Sequence, residues 1–522
     1  MSNNKVKEKN TFRNTILGFG VISILMFIFM FFNRALVDDG AFHIARLQAL
    51  SEEISIDNIK PWMYSKTYFG TGYPLGVFYP DLFLYPFALL AKLGIDSYYC
   101  YIIMMMCINF ASVASFYVCI RKILIDRECE EFEKISMVMS VAYLVFPYRL
   151  WDFYARMAIG ECLFFIFFPI VMLGVYKLFY KREFGLELFF GMLGLIYSHI
   201  LSTVIVIAVL IVFYLLNIKK IAKYPKIFGY TVINAILTMI CSASVVLPIL
   251  EMQQFSELYY ATGTKTFGML KDNVITILDN DIAAIVITVA VLAVCGVFAY
   301  KGNWKTKMLI TIFLVIFMDT DLFCWGALEN AFPFINIIQF PFRLLGVISI
   351  PSSILLGLVV YKHKPIYVSA TAMILLMFIY LGVVQYISIE NLDIYGQYSI
   401  GKGEYTNTEF RDYILKHGEI PNVKEEYKIS QKGNEYIFET KDEKVVLPLS
   451  YYKGYKITDE SKEYAYGKEQ GMIKVEGVEG NNLKVVYEGT MIQKVSLIMS
   501  VVSFVLVCLV YGMYQRKVAK SK

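Results

Sequence analysis

Three short stretches of this sequence gather side chains able to move a proton or hold an anion. The first reads Val37-Asp38-Asp39-Gly40-Ala41-Phe42-His43-Ile44-Ala45-Arg46. If a helix begins here with Asp38 as its cap, Asp39, His43 and Arg46 stand at i, i+4 and i+7 on one face. A carboxylate, an imidazole and a guanidinium projecting together could take a proton from a hydroxyl and hold an anionic leaving group. A capped, solvated helix leaving a bilayer would use the same residues. The second stretch, Phe146 to Glu161, sets Arg149, Asp152, Arg156 and Glu161 among aromatics. Glu161 opens an apolar run, where a helix N-terminus offsets part of its charge. Interfacial anchoring by Tyr, Trp and Arg is the alternative. The third is Gln339-Phe340-Pro341-Phe342-Arg343. Arg343 is the only Lys or Arg between Lys307 and Lys362. An arginine at the entrance of an apolar run asks for an anionic partner, either a bound lipid phosphate or the headgroups at large. His199, inside a long apolar run, and the D-x-D spacing of Asp319 and Asp321, which a divalent ion could use, complete the set.

The elements that must carry these groups are membrane helices. Of 522 residues, 57% are apolar, 16% aromatic and 18% charged, and mean hydropathy is +0.55. This composition excludes a disordered chain, a collagen-like repeat and an ordinary soluble enzyme. The net charge of +5 comes with no basic stripe interleaved with aromatics, so nucleic acid is not an expected partner. Nine cysteines, none in a CxxC pair and none within 389–490, fit neither a disulfide framework nor a zinc site.

Asn14–Phe32 is an uncharged run behind Lys5, Lys7, Lys9 and Arg13, and reads as an uncleaved first span. Further apolar runs lie near 98–118, 135–148, 160–176, 188–218, 227–250, 282–300, 308–325, 344–361, 366–389 and 495–514. The run 188–218 would be about 46 Å long as a single helix. It has basic residues at both ends, so it predicts a hairpin with its tip near Ser198-His199. About twelve transmembrane helices follow. The cytoplasmic pieces this implies hold 24 Lys or Arg, against 10 in the outside loops other than 389–494. That bias predicts both termini inside. Three regions result: a membrane domain over 1–388, an extracytoplasmic α/β or β-rich domain over 389–490, and a final helix with a basic cytoplasmic tail over 491–522. The first external loop, 33–97, carries Phe78–Leu93, read as a helix lying in the outer interface. Within 389–490, Thr406 could cap a short helix, and strands are expected at Glu435–Thr440, Lys444–Leu449, Gly471–Val475 and Asn482–Tyr487.

Nucleotide-binding and hydrolase signatures are absent: there is no G-x-x-x-x-G-K-[ST], G-x-G-x-x-G after a strand, H-E-x-x-H or G-x-S-x-G. Chemistry on the outer face would need a donor that the membrane itself delivers, such as a sugar on a lipid phosphate.

Taken together, the first helix, the acidic first external loop with its interfacial helix, the second acidic loop and the outside C-terminal domain resemble the GT-C superfamily of integral-membrane glycosyltransferases. Asp39–Arg46 looks like the acidic motif after the first helix of oligosaccharyltransferase catalytic subunits. The chain also resembles bacterial YfhO-type membrane proteins, including some labelled 6-pyruvoyl-tetrahydropterin synthase-related. That likeness is carried by Asp39–Arg46, Gly72–Pro80, Pro147–Glu161, Gln339–Arg343 and Leu447–Tyr455. The fold the resemblance implies is a mainly α, polytopic, GT-C-like membrane protein with a small β-rich domain before the last helix. The reaction it implies is an inverting transfer from a polyprenyl-phosphate sugar to an extracytoplasmic glycopolymer, glycolipid or protein of the cell envelope. Asp39 would be the general base, with Asp38 as substitute one position away. Arg343, with Arg156 or Arg149, would hold the leaving phosphate. His43, Arg46, Asp152, Glu161 and His199 would shape the acceptor or a metal site. Metal dependence, on Mg or Mn, stays open. The loop 251–281, with Tyr259 and Tyr260, would cover the donor. Two other classes fit the same residues: a transporter or flippase of lipid-linked sugars, and a non-catalytic envelope assembly protein. Polar residues near the bilayer midplane would favour the flippase, whereas here the ionisable groups gather at one membrane face.

Overall fold

The computed structural model describes residues 2–32, 34, 39–68, 70–259, 303–319, 323–363, 404–417, 429–432, 435–440, 442–459, 462–479 and 482–521. The chain is mostly helical, with a β region before the last helix. Among the described residues five helices are long and apolar enough to cross a bilayer: Glu8–Phe31, Ser97–Asp126, Ile159–Lys181, Pro341–Lys362 and Met491–Lys517. Lys226–Cys241 and Ala243–Phe255, bent by 66° at their junction, would together make a sixth.

Twelve spans were expected, and the difference has identifiable sources. The runs 282–300 and 366–389 lie outside the described residues. The run 135–148 forms the helix Phe132–Leu144, 13 residues or about 20 Å, against a hydrocarbon core of about 30 Å. That helix is buried on every side from Val138 to Leu144, so its apolar character serves protein packing. The run 188–218 does break where the hairpin tip was expected. Glu187–Ile196 and Ile200–Leu216 are separate helices, joined by Tyr197-Ser198-His199. The first of these is only ten residues long.

Contacts divide the chain into two compact units, neither of them continuous in sequence. The first comprises Met1–Ala41, Tyr101–Asn234 and Thr262–Asp393. Its best-packed pair is Ile159–Tyr176 against Glu187–Ile196. Gly191 makes this approach possible, because a Cβ there would stand 2.7 Å from the Val171 backbone nitrogen. Between the helices Pro147–Trp151 and Ile159–Tyr176 the backbone makes a π-helical turn, Asp152–Arg156. It stops on Met157, a non-glycine residue at φ 54°. Tyr101 holds this corner by donating its hydroxyl to the Met157 carbonyl at 2.5 Å.

The second unit comprises Phe42–Cys100, Ala235–Ala261 and Ile394–Lys522. It contains a five-stranded antiparallel sheet, ordered β1 (Ile429–Lys432), β2 (Glu435–Glu439), β8 (Asn482–Tyr487), β4 (Tyr455–Thr458), β5 (Glu463–Tyr464). A three-stranded sheet is ordered β3 (Lys444–Ser450), β7 (Met472–Glu476), β6 (Tyr466–Glu469). Alternate residues fill the core, with Phe438 opposite Leu483 and Val445 opposite Val475. Trp62, Met63, Val77 and Phe78 of the first loop join this core. Phe78 therefore does not begin an interfacial helix. The helix runs only over Tyr85–Lys92, with Leu82, Leu89 and Leu93 exposed beside or upon it. The short helix Thr408–His417 is capped by Asn407, whose Oδ1 accepts from the Glu409 amide at 3.1 Å, and not by Thr406.

Candidate active site

The groups of interest in the first unit meet around Arg156. The π turn offers its carbonyl and its side chain to the same partner. Asp39 donates its amide to the Arg156 carbonyl at 3.0 Å. Its Oδ2 accepts from Arg156 Nη2 at 3.1 Å. Arg156 Nη1 binds Asp152 Oδ1 at 3.1 Å and Glu161 Oε1 at 2.7 Å. Glu161 Oε1 also accepts from Arg343 Nε at 3.0 Å, and its Oε2 accepts from the Tyr148 hydroxyl. Arg343 Nη1 donates to the Ile338 carbonyl at 3.1 Å and to Gln339 Oε1 at 2.8 Å. Its Nη2 has no hydrogen-bond partner among the described residues. Asp39, the second acidic stretch and Arg343 are thus drawn together from chain positions more than 300 residues apart.

Three carboxyl groups share two guanidiniums here. Arg156, Asp152 and Glu161 are nearly sealed from solvent, whereas 41% of the Asp39 side chain is exposed. Asp152 lies deepest. Burial pushes its pKa well above the ordinary carboxylate range, the Glu161 charge adds to this, and Arg156 opposes it. Beside the cluster is a pocket with about 10 Å³ of free space, lined by Tyr148, Asp152, Glu161, Ser202 and Arg343 among others. His199 touches one of these lining residues, Ser202. Its ring packs on Gly160, where a Cβ would meet Cδ2 at 2.8 Å, and its Nδ1 is 2.8 Å from Ser202 Oγ.

Other expected members are placed elsewhere. Arg149 is fully buried and donates to the Leu144 carbonyl, to Asn109 Oδ1 and to Ser112 Oγ. Its ring-facing side lies 4.5 Å from the Phe153 centroid. It braces the helix Ser97–Asp126 and presents nothing to a donor. The helix that carries His43 and Arg46 starts at Gly40, so Asp39 stands just before its first turn. Arg46, in the second unit, is committed to Asp81 through Nε at 3.0 Å and Nη2 at 2.6 Å. Asp81 also accepts from the Tyr64 hydroxyl at 2.7 Å and pairs with Lys60 at 3.5 Å. A buried carboxylate with three such partners is a structural knot of the first loop. His43 is buried in the same unit. Asp38 lies outside the described residues, as does Asp321, while Asp319 is buried with Oδ2 unpartnered among them. Among the described residues no group of three or more His, Cys, Asp or Glu could hold a metal ion. Of the donor-covering loop only Tyr259 and the residues before it are described, and Tyr259 bonds backbone to backbone with Tyr405 and Thr406.

Tyr148, Gln339 and Ser202 are members of the site that sequence reasoning did not single out as ligands or partners. Tyr148 and Gln339 sit inside stretches already quoted. Ser202 had no signal beyond its position three residues after His199.

No family model matches the chain, and no curated protein matches it. Among solved structures the chain is similar to the arabinofuranosyltransferase AftD from Mycobacteria, determined by single-particle cryo-EM, at 12% identity and a TM-score of 0.41. The alignment covers 72% of this chain and 26% of that one, so the chain spans about a quarter of the length of the structure it resembles.

Proposed function

We propose that this protein is a membrane glycosyltransferase that moves a sugar from a polyprenyl-phosphate donor to an extracytoplasmic glycan, glycolipid or protein. The observation that supports this reading is the meeting of an accessible carboxylate, Asp39, with two guanidiniums, Arg156 and Arg343, at the ends of apolar helices. In the reaction, the acceptor hydroxyl oxygen attacks the anomeric carbon while Asp39 takes its proton. The bond from that carbon to the phosphate oxygen breaks, and the lipid phosphate leaves with the electron pair. Arg343 meets the growing charge with Nη2, and Arg156 with whatever donors the incoming phosphate draws from the carboxylates. The configuration at the anomeric carbon inverts, because a single displacement occurs. Glu161 holds both arginines at a fixed separation.

The test is incubation of the purified protein with a panel of polyprenyl-phosphate sugars and candidate acceptors, with products read by mass spectrometry. A new glycosidic product is expected from at least one pair. Asp39→Asn should lower its formation by roughly 10²–10⁴-fold, the usual worth of a positioned base, while leaving the unfolding temperature unchanged. Full activity in Asp39→Asn would remove Asp39 from the base role.

A further inference from the structure

The small pocket beside the cluster has a feature that packing does not explain. Asp152 is fully buried, and its Oδ1 is taken by Arg156. Its Oδ2 is also buried, yet has no hydrogen-bond partner among the described residues. A buried carboxyl oxygen left without a partner is costly, so such atoms are normally satisfied by something. The pocket it lines has about 10 Å³ of free space, close to the minimum that holds one water. Such a water needs two to four polar partners. The same wall is lined by Ser202, Tyr148, Glu161 and Arg343, each with polar atoms of its own.

We infer that this pocket is a built site for a single water molecule, which hydrogen-bonds to Asp152 Oδ2 and links it to the Ser202–His199 pair. The water joins two parts of the chain. On one side is the π turn, which carries Arg156. On the other is the break between Glu187–Ile196 and Ile200–Leu216, where Ser202 Oγ already meets His199 Nδ1. Asp152 is then a positioning residue. Fixed at both oxygens, it fixes Arg156, and Arg156 orients Asp39. The water site itself does not depend on what the protein catalyses; its effect on turnover rests on the transferase reading above.

Hydroxyl-radical footprinting of the whole detergent-solubilised protein, with ¹⁸O-water exchange, tests the site. A bound water places label on the side chains beside it, here Tyr148 and Phe164, and exchanges slowly with bulk. The wild type should show slow-exchanging label on both. Ser202→Val fills the space with a methyl group and should bring that label to background, whereas Ser202→Ala keeps the space and should keep the label. If sugar transfer is detected in the panel, Ser202→Val should also lower kcat by roughly tenfold with little change in KM, as for a lost positioning contact. If no transfer is detected, the labelling result still decides the water site. Absence of slow-exchanging label in the wild type, or equal label in Ser202→Val, overturns the inference. Should Ser202→Val not fold, an experimental map of the wild type decides, by the presence or absence of ordered density within hydrogen-bond reach of both Asp152 and Ser202.

Discussion

At the scale of single residues, the site is governed by an imbalance of charge. Glu161 is the hinge of the cluster, because both Arg156 and Arg343 rest on its Oε1. Glu161→Gln removes the charge that two buried guanidiniums share, and should destabilise the protein by about 3 kcal/mol, read as a fall in unfolding temperature in detergent. An unchanged transition would mean that the cluster is looser than its distances imply. Asp152 gives a pH dependence with a definite sign. Its folded pKa is raised above the ordinary 3.8, with burial the largest cause. The folded state therefore keeps a proton that the unfolded chain has already lost. The stabilisation tied to that proton is complete below the unfolded value and fades as pH climbs toward the folded one. Asp152→Asn cannot lose a proton, so its stability should decline less from mildly acid to alkaline pH than that of the wild type. Parallel curves of unfolding temperature against pH would count against this. Residue identity made Asp39, Arg156, Glu161 and Arg343 legible in the sequence. It could not reveal that Arg149, from the same loop, turns inward to Asn109 and Ser112. Nor could it show that Arg46 is consumed by Asp81, a residue 35 positions away.

At the scale of elements, local signals were readable where one physical cause dominates. The hairpin break at Tyr197–His199 follows from length and flanking charge. Four of the eight strands follow from alternation and turn residues. The short strands β1, β4, β5 and β6 carry too little periodicity to stand out. Span counting failed at Phe132–Leu144, since an apolar run buried by protein and one facing lipid have the same composition. Element ends also carry a stability prediction. Ser97–Asp126 ends in a turn whose Glu128 is exposed and sits at φ 55°. A side chain there costs roughly 1–2 kcal/mol in the left-handed region, and glycine relieves it. Glu128→Gly should raise the stability by about 1 kcal/mol, seen as a higher unfolding temperature. A fall would show that Glu128 makes a contact which its exposure does not suggest.

At the scale of the whole molecule, the chain builds each unit from three separated segments. Composition separates apolar from polar stretches, yet it cannot pair the first external loop with strands 350 or more residues later. That pairing rests on the burial of Trp62, Met63 and Phe78 in the core of the β sheets, a tertiary fact with no local signature. The same limit holds for the site, whose parts come from before residue 40, from 148–161, from 199–202 and from 339–343. The central claim is that this assembly breaks the bond between a sugar and a lipid phosphate by a single displacement at the anomeric carbon. The most direct measurement is the anomeric configuration, by NMR, of the product formed from a polyprenyl-phosphate sugar of known configuration. The account predicts an inverted product from the wild type and none from Asp39→Asn. A product of retained configuration, or an inverted product formed equally well by Asp39→Asn, would contradict it.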